Sequence, residues 1–64
     1  MQKNERDELY DEAVGIISKQ KDCSPAILQR RLAVGYMRAC RILEQMEDDG
    51  IVGPEYGMGK RKVL

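Results

Sequence analysis

Histidine, tryptophan and phenylalanine are all missing from this chain. Without histidine, no side chain has an unperturbed pKa near neutrality to act as a ready general base. The hydroxyl of Ser24 has no evident base to activate it and is better placed as a helix cap, so enzyme chemistry has almost no support. Without tryptophan or phenylalanine, the core must be built from aliphatic side chains, the three tyrosines and the four methionines. Only two cysteines occur, Cys23 and Cys40, with no CxxC spacing and no histidine to complete a metal set. Both sit among apolar neighbours and are expected to be buried, reduced thiols acting as small hydrophobes. A disulfide is not expected in a cytoplasmic chain. No apolar run approaches the ~20 residues of a membrane span, and the start lacks the basic-then-apolar pattern of a secretion signal. The expectation is a cytoplasmic protein with no membrane contact, no cofactor and no metal.

A net charge of zero argues against a nonspecific polybasic binder. The charge is nevertheless sorted along the 64 residues. Residues 1–22 carry four bases and six acids. Residues 23–43 carry Arg30, Arg31, Arg38 and Arg41 with no acid. Residues 44–55 carry only acids, and residues 56–64 carry Lys60, Arg61 and Lys62. Two separate segments are thus purely basic. If the fold brings them together, they form one anion-binding face.

At this length the chain is one small domain, near the lower limit for burying an adequate core. Its central stretch runs from Gly35 to Gly50. Tyr36, Ala39, Cys40, Leu43 and Met46 recur at three- and four-residue steps and predict the buried stripe of a helix over about 35–49. Met37, Arg38, Arg41, Glu44 and Asp48 then face outward. Arginines early and acids late oppose the helix dipole, which suits arginines kept for an anion. An ordinary solvated helix face has the same pattern. The run Glu47-Asp48-Asp49 at its end reads as solvated surface rather than a metal site.

The flanking elements follow from turn chemistry. Asn4 and Asp7 open a first helix over about 5–20, with Leu9, Tyr10, Ala13, Val14 and Ile17 on its buried side and Lys19 and Lys21 suiting its C-terminal charge. Gly15 within it is a place where another helix could approach closely. Asp22-Cys23 is a short link, a candidate bridge of strand. Ser24-Pro25 starts a second helix over about 25–31, with Ile27, Leu28 and Leu32 inward. Ala33-Val34-Gly35 is a tight connection in which Gly35 can take left-handed angles. A short helix, a tight turn and a longer helix with early arginines form the helix-turn-helix pattern, whose second helix enters the DNA major groove and reads bases with its N-terminal residues, here Met37, Arg38, Arg41 and Glu44. Gly50 caps that helix, Ile51-Val52 reads as a strand, 53–59 as a loop, and 61–64 as a return strand with Val63 inward. Two strands after a helix-turn-helix make a wing over about 51–64; a plain hairpin covering the core reads the same way. The fold class is therefore mainly α with a small β-hairpin: a winged helix-turn-helix of three helices plus wing, one domain over residues 1–64.

The stretch QRRLAVGYMRACRILEQMEDDGIVGPEYGMGKRKVL resembles the C-terminal gamma domain of the FtsK/SpoIIIE DNA translocases. The resemblance is carried by Leu28-Gln29-Arg30-Arg31, Val34-Gly35-Tyr36, Arg38-Ala39, Arg41, Met46-Glu47, Gly50-Ile51-Val52 and the closing Arg61 with Val63-Leu64. The run from Asp7 to Val14 is also similar to that domain's first helix. The resemblance implies a winged helix that binds double-stranded DNA sequence-specifically, recognises short, G-rich, polar sequences, and orients a translocase on the chromosome during segregation and cell division. It also implies a Xer-type recombinase and the motor of a longer translocase as partners. Carried over by position, Arg41 and Glu44 match base-reading residues, Arg38 matches a basic position on the same helix, and Met37 stands beside them. Arg41 suits a guanine edge and Glu44 a cytosine amino group. Gln29, Arg30, Arg31, Lys60, Arg61 and Lys62 would contact phosphates, which sets position without reading sequence.

Where the family pattern reads Gly-Tyr-Asn-Arg, this chain has Met37. Asparagine can bond an adenine edge twice and methionine cannot; methionine can pack on a thymine methyl instead. An apolar side chain outside the core also suits a protein contact. The chain contains no GxxxxGK[ST] phosphate loop, so no ATP hydrolysis belongs to these residues. A domain cut from a longer protein and a small free-standing relative both fit the sequence.

Overall fold

The structure is a computed structural model that describes residues 6–64. The element order is α1 (Tyr10–Ile17), β1 (Asp22–Cys23), α2 (Pro25–Leu32), α3 (Tyr36–Asp48), β2 (Val52–Gly57) and β3 (Lys60–Val63). The three strands form one antiparallel sheet in the order β1-β3-β2. Three helices with a strand between the first two and a terminal hairpin make a winged helix, as the sequence implied.

Helix α1 is shorter than periodicity suggested because its start is set by Asp7. The Asp7 carboxylate accepts the Leu9 N–H at 2.8 Å, and the Asp7 carbonyl accepts the Tyr10 N–H at 2.8 Å. This local turn satisfies backbone donors ahead of the helix. The expected cap at Asn4 lies outside the described residues. At the other end a turn through Ser18 and Lys19 stops the helix, so Lys19 and Lys21 stand beyond its last turn. Tyr10, Ala13 and Ile17 are buried at helical spacing. Gly15 is exposed, with nothing within 4 Å of where a Cβ would sit, so no close helix approach occurs there.

Ser24 occupies the cap position of α2 in an extended conformation, but its hydroxyl makes no capping bond. Pro25 in the first turn and the Ile27 N–H to the Ser24 carbonyl at 3.1 Å open the helix instead. Leu28 is completely buried and Ile27 and Leu32 pack at its fringe. In the following turn the left-handed residue is Ala33 (φ 56°, ψ 42°), not Gly35, which is extended at φ −73°. The residue just past a helix end is where the chain most often turns left-handed, and here that residue is an alanine.

Helix α3 buries Ala39, Ile42, Leu43 and Met46. The stripe is therefore rotated from its expected position: Ile42 is inside, Cys40 is half-buried, and Tyr36 is 54% exposed. Both cysteines are free, and only Cys23 is buried. Gly50 adopts φ 77°, and the helix closes with Gly50 N–H to the Glu47 carbonyl at 3.0 Å and Ile51 N–H to the Met46 carbonyl at 2.9 Å.

The wing is more regular than a loop between two short strands. Strand β2 continues to Gly57, and only Met58 and Gly59 turn, both at positive φ, as a tight hairpin requires. Pro54 is tolerated because β2 is an edge strand whose pairing shifts register between Val52 and Glu55. Strand β1 pairs Cys23 with Arg61 and Asp22 with Lys62, so the expected bridge of strand is a third member of the sheet. Cys23 and Val52 bring the sheet into the helical core, with Val63 at its fringe. Among the described residues no helix is long and apolar enough to cross a membrane.

Candidate nucleic-acid interface

At about 3.6 residues per turn, the side of α3 opposite its buried stripe carries Met37, Arg41, Glu44 and Asp48. All four are exposed, and Met37 is 69% exposed. Arg41 is exposed and makes no ion pair among the described residues. Arg38 lies at the border of this stripe rather than at its centre. Its Nε and Nη2 donate to the two carboxylate oxygens of Asp7 at 2.7 and 2.9 Å. That guanidinium holds the Asp7 carboxyl below the usual carboxylate range; partial burial opposes the shift and the Leu9 N–H adds to it.

The lead-in segment before α1 grips both ends of α3. Beyond the Asp7–Arg38 pair, the Asp7 N–H donates to Gln45 Oε1 at 3.3 Å. Arg6 reaches Asp49 at 2.7 Å, and the Tyr10 hydroxyl donates to the same carboxylate. Burial first, and then the bond to Asp49, push the Tyr10 hydroxyl up to about 12.

Arg30 and Arg31 are exposed in the last turn of α2, and Gln29 is half-buried. Cations there also complement the helix C-terminus, so their placement has a structural reason of its own. The turn at 33–35 then leads into α3.

The three wing cations separate into two groups. Alternation along β3 puts Lys60 and Lys62 outward and turns Arg61 and Val63 inward. Arg61 Nη1 donates to Glu47 Oε1 at 2.7 Å and to the Gly53 carbonyl at 3.1 Å, and its side chain is 12% exposed. Lys62 stays 68% exposed, 3.4 Å from Asp22 and 5.6 Å from the Tyr56 ring centre. Lys60 is exposed and makes no ion pair among the described residues.

The wing turn packs on the helices. A Cβ at Gly59 would lie 3.0 Å from Pro25 Cδ, so only glycine fits both the contact and its φ of 79°. Tyr36, Cys40 and Glu44 of α3 share a small cleft with Pro25, Glu55, Gly59 and Arg61. The outward stripe of α3 thus has the wing along one flank and the lead-in segment, through Arg38, along the other. The role of Asp7 was missed from sequence, where it read only as a helix-start acid; nothing local signals a partner 31 residues away. Among the described residues no group of three or more potential metal ligands occurs.

Comparison with known proteins adds the lineage. The family model described as the Ftsk gamma domain matches residues 4–64. The chain is 50% identical over 58 residues to the DNA translocase FtsK of Brucella melitensis, covering 91% of this chain and 7% of that protein. It is 52% identical over 60 residues to the DNA translocase FtsK of Sporosarcina ureae, covering 94% of this chain and 8% of that protein. It is 50% identical over 58 residues to the DNA translocase SpoIIIE of Bacillus subtilis, covering 91% of this chain and 7% of that protein. The chain therefore spans only 7–8% of the length of these curated relatives. A winged helix matched almost end to end by this family, at such identity to translocases, belongs to the FtsK gamma domain family.

Proposed function

We propose that this domain binds double-stranded DNA sequence-specifically through α3 and thereby orients or loads a DNA translocase. The observation that carries the reading is the outward stripe of α3, where Arg41 and Glu44 stand exposed between the wing and the lead-in segment, in a chain whose relatives are named DNA translocases. Met37, Arg41 and Glu44 are assigned to base edges, and Arg38, at the border, to the edge of the groove. Gln29, Arg30, Arg31, Lys60 and Lys62 are assigned to phosphates. Arg61 belongs to the same basic segment, but its internal bonds suit it to holding the wing in place behind Lys60 and Lys62. The motor of a longer translocase chain is the partner that such a module would serve, and duplex DNA as ligand places the work in the cytoplasm.

A second reading is favoured by one observation. Met37, an apolar side chain, is 69% exposed at the centre of the stripe. That suits a protein partner such as a Xer-type recombinase docking on α3.

Selection of bound sequences from a random duplex pool, followed by titration at several salt concentrations, separates the two. DNA binding predicts a selected motif and a steep loss of affinity with salt. Arg41→Ala is expected to lose ~1–3 kcal/mol on the selected site and to relax its preference. Lys62→Ala is expected to weaken all duplexes alike and to lower the salt slope by about 1. No duplex binding at low salt would leave the protein-partner reading standing.

A further inference from the structure

A guanidinium has two edges that can each meet an anion: a side edge of Nε and Nη2, and an end edge of Nη1 and Nη2. In Arg38 the side edge is filled by Asp7 at 2.7 and 2.9 Å. No other hydrogen bond or ion pair of this guanidinium occurs among the described residues. The Arg38 side chain is still 40% exposed, while that of Asp7 is 17% exposed. The side chain is thus open to solvent at the border of the outward stripe, and the end edge is the one with no anion on it among the described residues.

Asp7 is itself held still. Its Oδ1 accepts the Leu9 N–H at 2.8 Å, and its own N–H donates to Gln45 Oε1 at 3.3 Å, farther along the same helix. Asp7 is tied to α3 by its carboxylate at Arg38 and by its backbone N–H at Gln45, so the direction of its grip on Arg38 is set by the fold.

We infer that Asp7 is a positioning residue for DNA binding: it holds Arg38 by the side edge and aims the end edge outward, to a phosphate of a duplex lying along α3. The inference rests on the duplex-binding reading above and deepens it. An arginine so gripped has less rotamer freedom left to lose on binding. The sign of the effect is what makes it testable. Asp7 is an acid near a polyanion site, so charge alone predicts that neutralising it tightens binding. Positioning predicts that neutralising it weakens binding.

The test is titration of the duplex selected from the random pool with the wild-type chain, Asp7→Asn, Arg38→Lys, Arg38→Ala and the Asp7→Asn/Arg38→Ala double variant. All are measured at one low salt concentration, at a temperature where circular dichroism shows each fully folded. Asp7→Asn is expected to weaken binding roughly three- to tenfold. Arg38→Lys, which keeps the charge but cannot serve two anions in a fixed plane, is expected to lose a similar factor. In the Arg38→Ala background, where only the charge effect is left, Asp7→Asn is expected to cause no loss. Asp7→Asn binding as tightly as wild type or tighter overturns the inference. So does Arg38→Lys matching wild type, or an Asp7→Asn loss that persists without Arg38. If wild type binds no duplex at all, the duplex-binding reading falls and takes this inference with it; if wild type binds and Asp7→Asn is unchanged, only the inference falls.

Discussion

The lead-in segment and the wing both lean on α3, each through an arginine–carboxylate pair at 2.7 Å, and the two pairs are built in opposite senses. In the Asp7–Arg38 pair the carboxylate is sheltered and the arginine is open: Asp7 is 17% exposed and Arg38 40%, whereas the Arg6–Asp49 pair of the same segment runs the other way. On the wing side the arginine is sheltered and the carboxylate is open: Arg61 is 12% exposed and Glu47 43%. Distance does not distinguish them. Exposure does, because an arginine that is 12% exposed, with Nη1 bonded to both a carboxylate and a carbonyl, is turned into the fold, whereas a half-open one is turned toward solvent. A count of basic residues therefore overstates the basic face.

The largest effect that separates the two sides comes from the sheltered arginine. Arg61→Ala removes a charged hydrogen bond and leaves the Gly53 carbonyl without this donor, so it should lower stability by about 1–2 kcal/mol. Urea unfolding checks this. Duplex affinity per folded molecule should change less than for Lys62→Ala, and the reverse order would dissolve the contrast between the pairs.

The far end of the lead-in grip is sensitive to alkali. The Tyr10 hydroxyl titrates near 12 when folded, raised by burial and by its bond to Asp49. A raised folded value means that its contribution is fully present below the ordinary tyrosine range near 10 and is lost as pH rises through about 12. The loss is on the order of 1–2 kcal/mol, and Tyr10→Phe should flatten that part of a stability–pH curve.

A change in the turn between α2 and α3 touches neither pair and serves as a reference. Ala33 holds left-handed angles at φ 56°, so Ala33→Gly should stabilise the fold by roughly 0.5–1 kcal/mol, read as a higher melting temperature. A loss of stability there would mean that the alanine methyl makes a packing contribution larger than its backbone strain.

The smallest expected effect is acid sensitivity on the lead-in side. The Asp7 carboxyl is held below its ordinary range, chiefly by Arg38. Its contribution is thus present above the ordinary carboxylate value and lost as pH falls through the lower, folded one. Asp7→Asn should remove that slope from the acid limb, while Arg61→Ala should leave it in place. Equal slopes in wild type and Asp7→Asn would show that the pair contributes nothing to folding.

Much of this fold was legible beforehand. Ser24-Pro25, the tight connection at 33–35 and Gly50 marked element boundaries, because turns and caps depend on residues a few positions apart. The misplacements also have physical causes. Tyr36 and Cys40 satisfied the apolar spacing of α3, yet they face the wing cleft rather than the core, and Ile42 takes the inner position. Gly35 was the obvious left-handed residue, but the helix end falls two residues earlier, at Ala33. Strand β2 ran on through Pro54 because an edge strand with shifted register can spare that N–H. For the candidate interface, the outward placement of Met37, Arg41 and Glu44 followed from periodicity alone, while the separate fates of Arg38, Arg61 and Lys62 did not.

Local chemistry determined the order of helices and strands, the presence of a wing and the helix that faces outward, since each depends on neighbours within a turn or two of chain. Tertiary structure alone decided which arginines are sheltered in the fold and which stay open to solvent. Arg38 finds its carboxylate 31 residues away and Arg61 finds its own 14 residues away, and contacts at that separation exist only once the core has drawn distant segments together.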